Sequence, residues 1–479
     1  MTDDRRVRTG VEGLDAVLGG GLPAERAYML RGGPGTGKTI LGLHFLTAGT
    51  GTSETALGVQ FEEQTENLVS NAEGVGLDTA DVEFVDLSPE ADFFAADRSY
   101  GVFEPDEVEG PDVFEAVREA IDRTEPDRLF VDPLTNLRRL TSDDYQFRRT
   151  VASLVRYATD RGATVLFSTQ PSPAAPDDDL EFLSDGSIEL GRAPKGRTIE
   201  VRKLRGSKFE DGEHTLRITD EGMRVYPILL PREYRRSFDA ETVSSGVDEV
   251  DALLGGGIER GTITLVTGPS GVGKTTLSTH FLEEAAARGE RSVAYLFEES
   301  TDTFVHRSEA IDLPVGEMRE AGTLAIEEVE PLTVSPDEFA DAVRREVEQR
   351  DARLVTIDGV SGYRLSIRGD EDDLVRELHA LCRYLRNMGV TVLLVDAVSS
   401  VTGEFQPTSA NISYLGDNVV FLRYVARGDT IGRAIGVLKK RASDFERTIR
   451  EFEITDDGLV VREPVNELRD VLQGVSKGD

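Results

Sequence analysis

The sequence predicts an α/β protein built from two tandem domains of one kind, each a mostly parallel central sheet flanked by helices. Three observations predict it. Short apolar runs such as RLFVD (128–132), ATVLFST (163–169), RLVTID (353–358) and VTVLLVD (390–396) read as buried strands, and amphipathic stretches such as RRTVASLVRYATD (148–160) lie between them as helices. That alternation favours a sheet covered on both faces, with ligands at the carboxyl ends of its strands. Several landmarks of the first half return in the second at one interval, and among them is a glycine-rich loop, RGGPGTGKTI and then TGPSGVGKTT.

The 479 residues exceed what one ordinary core holds, since single domains run to ~100–200 residues. No run approaches the ~20 apolar residues that span a bilayer. The start, MTDDRRVRTG, has no apolar segment behind it and does not read as a secretory signal, so a cytoplasmic location is expected. Cys382 sits alone in the apolar helical pattern LHALCRYL and reads as core packing. His44, His214, His280, His306 and His379 have no zinc-site spacing and read as structural. A net charge of −35 opposes general affinity for nucleic acid or anionic membrane. Only eight cationic residues are lysine, the other 46 being arginine. Such an acidic, lysine-poor composition resembles that of proteins from salt-accumulating archaea, where concentrated salt screens carboxylate repulsion.

The repeat is a domain duplication. TGVEGLDAVLGGGL from Thr9 matches SGVDEVDALLGGGI from Ser245, and Lys38 matches Lys274, each 236 residues on. VQFEEQT and YLFEEST keep that interval, as do VRKLRGS and VLKKRAS. Asp132 and Asp358 are 226 apart, so each half has its own insertions. The predicted layout is domain 1 over 1–231, a polar linker over 232–244, domain 2 over 245–462 and a tail over 463–479. In the tail Val465, Leu468, Leu472 and Val475 fall near one face of a helix that packs on its own domain or takes a partner.

Gly32, Gly33, Pro34, Gly35, Thr36, Gly37, Lys38 and Thr39 match G-x-x-x-x-G-K-[ST] in full. So do Gly268, Pro269, Ser270, Gly271, Val272, Gly273, Lys274 and Thr275, with Thr276 following. Glycines let successive N–H groups turn toward phosphate oxygens at a helix N-terminus, lysine reaches the β- and γ-phosphates, and the threonine hydroxyl takes a Mg²⁺ position. The doublets Glu62-Glu63 and Glu298-Glu299 each follow an apolar stretch; one carboxylate of each can orient a water or hydroxyl for phosphoryl transfer. Asp132 and Asp358 end strands, where an aspartate holds the Mg²⁺ hydration shell. Lys203 with Arg205, and Lys439 with Arg441, lie two apart and so share a strand face; phosphate contact, across a subunit boundary, is favoured over a merely solvated basic face.

Together these residues resemble the KaiC family, the double-domain branch of RecA-like ATPases, over nearly the whole chain. The run ANISYLGDNVVFLRYVARGDTIGRAIGVLKKRASDFERTIREFEI makes the likeness specific to that family. The resemblance implies a double-ring hexamer with ATP between subunits, where Lys203, Arg205, Lys439 and Arg441 reach a neighbour's nucleotide. It also implies autophosphorylation of an adjacent Ser-Thr pair in the second ring. Here those positions are Ser413 and Tyr414, and domain 1 has Glu181 opposite Ser413. Ser413 is thus the candidate acceptor, with an ordinary surface or interface serine as the other reading. Pro133 and Gly359 stand where the family commonly has serine.

The expected function is that of a Mg²⁺- and ATP-dependent regulatory ATPase, with serine autokinase activity in domain 2 as its second possibility and unidentified regulatory partners at the tail. A DNA-binding RecA-like motor is the alternative, but neither half shows a basic cluster suited to tracking phosphates. An ATP-gated scaffold with incidental hydrolysis is the third reading. The composition yields a direct test: the melting temperature should rise as KCl is raised toward molar concentrations, and a fall would refute the salt requirement.

Overall fold

The computed structural model describes residues 5–49, 53–88, 111–141, 143–170, 177–368, 371–398, 412–427, 430–456 and 458–464. The predicted tail helix lies outside them. The chain divides into two compact units, Met1–Ile228 and Leu229–Asp479.

Each unit is organised around one nine-stranded sheet. In the first, the strand Ala27–Gly32 lies between Thr164–Thr169 and Gly186–Ala193, parallel to both. Arg128–Asp132, Ala56–Gln60 and Val82–Asp86 continue the parallel set outward. On the other side Gly196–Leu204, His214–Thr219 and Gly222–Tyr226 add three antiparallel strands. The second unit repeats this order. Ile263–Gly268 is flanked by Thr391–Ala397 and Asn418–Arg427, then Ala352–Asp358, Arg291–Leu296 and Leu324–Glu328 on one side, and antiparallel Thr430–Lys440, Arg450–Thr455 and Gly458–Pro464 on the other. Two mostly parallel sheets flanked by helices match the sequence expectation; of the antiparallel strands beyond them the sequence reading had only the stretches at Lys203 and Lys439, and these strands end at Leu204 and Lys440, just before Arg205 and Arg441.

Strand alternation explains why both faces are covered. Ala27 and Met29 point into one buried cluster with Val131, Val165 and Phe167, while Tyr28 and Leu30 point into another with Phe130 and Leu166. The helix Lys38–Thr47 lies close over the second face, because Gly42 has no β-carbon to collide with the Phe130 ring. The position of that helix fixes the loop preceding it.

The stretch 232–244, read above as a linker, is docked along the second unit. Tyr234 meets Tyr384 edge-on at 5.1 Å between ring centres, Arg344 lies over the Tyr234 ring, and Arg236 pairs with Asp351 at 2.7 Å. Leu229 belongs to the second unit's core. In that core Cys382 is wholly buried, and burial pushes its thiol up to about 12, as fits packing and not reactivity.

Candidate functional site

In each unit the glycine-rich loop joins the central strand to a helix, Lys38–Thr47 or Lys274–Ala287, at the carboxyl end of the parallel strands. A β-carbon at Gly32 would stand 2.6 Å from the Leu190 carbonyl oxygen, and one at Gly268 would press as hard on that of Leu422. Glycine is therefore required where the loop leaves the sheet. Gly37 and Gly273 have φ of 111° and 116°, left-handed conformations that side chains oppose, and they turn the chain into each helix. Lys38 Nζ donates to the carbonyls of Gly32 and Gly33 at 2.8 and 3.0 Å, and Lys274 Nζ to that of Pro269 at 2.9 Å. Both ammonium groups thus cross their own loops. Burial lowers both lysine pKa values, while Asp132 and Glu62, or Asp358 and Glu298, pull them back up.

Thr39 Oγ1 donates to Asp132 Oδ2 at 2.6 Å, so the residue after the loop lysine meets the aspartate ending the strand Arg128–Asp132. The other oxygen, Asp132 Oδ1, accepts from the Ser168 hydroxyl. In the second unit Thr275 hydrogen bonds to Asp358, whose Oδ2 is buried without any hydrogen-bond partner. Burial raises the Asp358 pKa, with the Thr275 bond opposing. A threonine hydroxyl, a strand-end carboxylate and an unsatisfied buried oxygen are oxygen donors of the kind Mg²⁺ prefers, and the loop N–H groups suit phosphate. The residues present therefore fit a Mg²⁺-nucleotide.

The doublets lie just beyond the strands Ala56–Gln60 and Arg291–Leu296. Their two carboxylates part company. Glu62 and Glu298 are exposed and act electrostatically on Lys38 and Lys274. Glu63 and Glu299 are partly buried; Glu63 accepts from Asn71 Nδ2 at 2.6 Å, and Glu299 from Arg307 Nη2 at 2.8 Å. Burial raises the pKa of each, helped by Asp132 at Glu63 and opposed chiefly by Arg307 at Glu299. Gly359, with φ of 98°, passes beneath Glu298; a β-carbon there would lie 2.7 Å from Glu298 Cγ. Serine at this place would displace that glutamate.

The structure does not bring the two basic pairs to their own loops. Lys203 Nζ donates to the carbonyls of Glu181 and Ser184, and Arg205 faces Asp185. Lys439 Nζ donates to the carbonyls of Gly416 and Ser413 at 2.5 and 3.4 Å, while Arg441 pairs with Asp417. Ser413 is partly exposed. Tyr414 is half-exposed, edge-on to His379, and lines a cleft with Arg383, Arg386 and Arg441. Sequence reasoning missed Ser168, Asn71, Arg307 and the buried Asp396. A signal for the last of these was present, since Asp396 ends the apolar run VTVLLVD as Asp132 ends RLFVD; the strand register sets it beside Thr267.

Comparison with known proteins agrees with this geometry. A family model described as "ATPase: KaiC" matches residues 7–229 and again 243–466. The chain is 30% identical to the circadian clock oscillator protein KaiC of Synechococcus elongatus, covering 98% of this chain and 91% of that one. It is 28% identical to the protein of the same name from Picosynechococcus sp., over 98% and 92%. The circadian clock oscillator protein KaiC 1 of Synechocystis sp. is 26% identical over 98% and 91%.

Two duplicated histidines support the loop helices from behind. Nε2 of His44 accepts from the Met223 N–H at 2.8 Å, and Nε2 of His280 from the Leu459 N–H at 3.0 Å, so each ring is held neutral. Burial lowers the His44 pKa and brings His280 down to about 4. An imidazole in the unfolded chain titrates near ~6.5, so between those values the unfolded state binds more protons. The histidine contribution is complete above about pH 6.5 and is lost as pH falls toward 4. The urea midpoint should drop between pH 7.5 and 5 at constant salt, and His280→Gln should flatten that slope; equal slopes would contradict it.

Proposed function

The chain belongs to the KaiC family of ATPases, and from that premise we propose that it is a Mg²⁺-dependent ATP-hydrolysing switch with two sites per chain. The carrying observation is the constellation built twice: loop lysine, threonine bonded to a strand-end aspartate, and a glutamate doublet beyond the adjacent strand. Lys38 and Lys274 would hold the β- and γ-phosphates with the loop N–H groups. Thr39 with Asp132, and Thr275 with Asp358, would hold Mg²⁺ and its water shell. The ion would neutralise charge on the phosphates as the terminal bond breaks.

The chain's own contribution is then to place a water in line with that bond. Glu62-Glu63 and Glu298-Glu299 supply carboxylates for this, the first of each pair toward the lysine and the second held from the following helix. Lys203, Arg205, Lys439 and Arg441 turn away from their own loops, which favours action on a neighbouring subunit's nucleotide in a homohexamer. The KaiC likeness supports that assembly. No helix among the described residues is long and apolar enough to cross a membrane, in keeping with a cytoplasmic location.

Serine autokinase activity at Ser413 is the finer part of the proposal. Its support is the partly exposed serine at the turn that Lys439 anchors. Nothing in the site favours the DNA motor or the scaffold with incidental hydrolysis.

Phosphate release in molar KCl is expected to fall at least ~100-fold when both glutamates of both doublets become glutamine, with ATP binding retained. Unchanged release would overturn the assignment. Label from γ-labelled ATP should appear on the wild type and vanish in Ser413→Ala; release without label would remove the autokinase and leave the ATPase.

A further inference from the structure

The two sites do not place their charged groups alike, although one duplication produced both. Asn71 and Arg307 occupy the same place, 236 residues apart, and each holds the second glutamate of its doublet: neutral amide to Glu63 at 2.6 Å, guanidinium to Glu299 at 2.8 Å. A second difference accompanies the first. Thr169 pairs across the sheet with Arg31, and Asp396 pairs with Thr267, the residue 236 after Arg31. Domain 2 thus carries a fully buried carboxylate on the strand itself, where domain 1 has a hydroxyl that donates to the equally buried Asp177, which is paired with Arg31. Asp396 acts electrostatically on Lys274, and Arg307 acts on Asp358. Counting Lys38 and Arg31 against Glu62, Glu63, Asp132 and Asp177, then Lys274 and Arg307 against Glu298, Glu299, Asp358 and Asp396, each site keeps the same formal excess of two negative charges, with its guanidinium in a different place.

We infer that residues 71 and 307 are positioning residues that set the two sites to different turnover, Asn71 leaving Glu63 able to act on water and Arg307 restraining Glu299 through a charge-assisted hydrogen bond. The inference rests on the hydrolytic reading of the doublets. Each donor meets one oxygen, Oε1, of its glutamate, so the difference lies in charge: a guanidinium binds a carboxylate more strongly than a neutral amide does. The Glu299 carboxylate is largely buried while the Arg307 side chain is 44% exposed, so the pair holds in a partly screened setting and the arginine fills no core. Arg307 also lies over the Phe304 ring at 6.0 Å, within its own helix Thr301–Glu309, which keeps it aimed at the doublet.

The test uses the full chain in molar KCl, with Lys38→Ala leaving domain 2 to be read alone and Lys274→Ala leaving domain 1. In the first background Arg307→Asn should raise kcat about two- to fivefold with KM for ATP unchanged. Arg307→Lys should bring the rate back down by restoring the charge. In the second background Asn71→Arg should lower kcat by a similar factor, and this arm stands if Arg307→Asn fails to fold. Glu299→Gln, in the Lys38→Ala background, should abolish release whichever residue stands at 307. If Glu299→Gln abolishes release but Arg307→Asn leaves kcat unchanged, lowers it or moves KM in step, the positioning role is overturned while the hydrolytic reading survives. Release that persists in Glu299→Gln overturns the reading of the doublet and the inference with it.

Discussion

The close approach of the loop backbone to the next strand is the constraint on which the rest of each site depends. Gly32 sits beside Leu190 and Gly268 beside Leu422, with no room for a β-carbon at either place. The chain can therefore leave the sheet edge-on, curl through Gly37 or Gly273, and begin a helix with its amide groups facing the carboxyl ends of the strands. Everything else is placed relative to that helix start. Thr39 reaches Asp132 because it is the helix's second residue, and the lysine crosses the loop because it is the first. Gly42, pressed on Phe130, keeps the helix from lifting off the sheet.

Duplication with later divergence gives two sites with one framework and different local chemistry. The framework residues are tied to backbone geometry, where a change costs packing or strain. The tuning residues Asn71 and Arg307 are side chains on the helix that follows each doublet, where no loop backbone depends on them. The acidic surface is a separate matter, bearing on solvation and not on the site.

Much of the fold and the chemical core of the site could be read from the sequence, for a physical reason. Apolar strand runs report burial directly, and the loop letters each do a task that few other residues can do. Asp132 and Asp358 were legible as polar ends of apolar strands. Of the antiparallel strands from Gly196 and Thr430 onward only the stretches at Lys203 and Lys439 were, because their mixed composition carries less periodic signal than a buried parallel strand. The docking of the stretch 232–244 was not legible, because its arginines and acidic residues hide the ring of Tyr234, which packs on Tyr384. Arg307, Asn71 and Ser168 depend on register and helix phase, which composition does not carry, whereas Asp396 ends the run VTVLLVD and carried the same signal as Asp132.

The central claim is that one chain holds two nucleotide sites of the same construction, and equilibrium titration tests it most directly. The full chain in molar KCl with Mg²⁺ would be titrated with a non-hydrolysable ATP analogue, alone and as the Lys38→Ala and Lys274→Ala variants. The account predicts two sites per chain and the loss of one in each variant. A single site in the wild type, or two sites surviving either substitution, would contradict it.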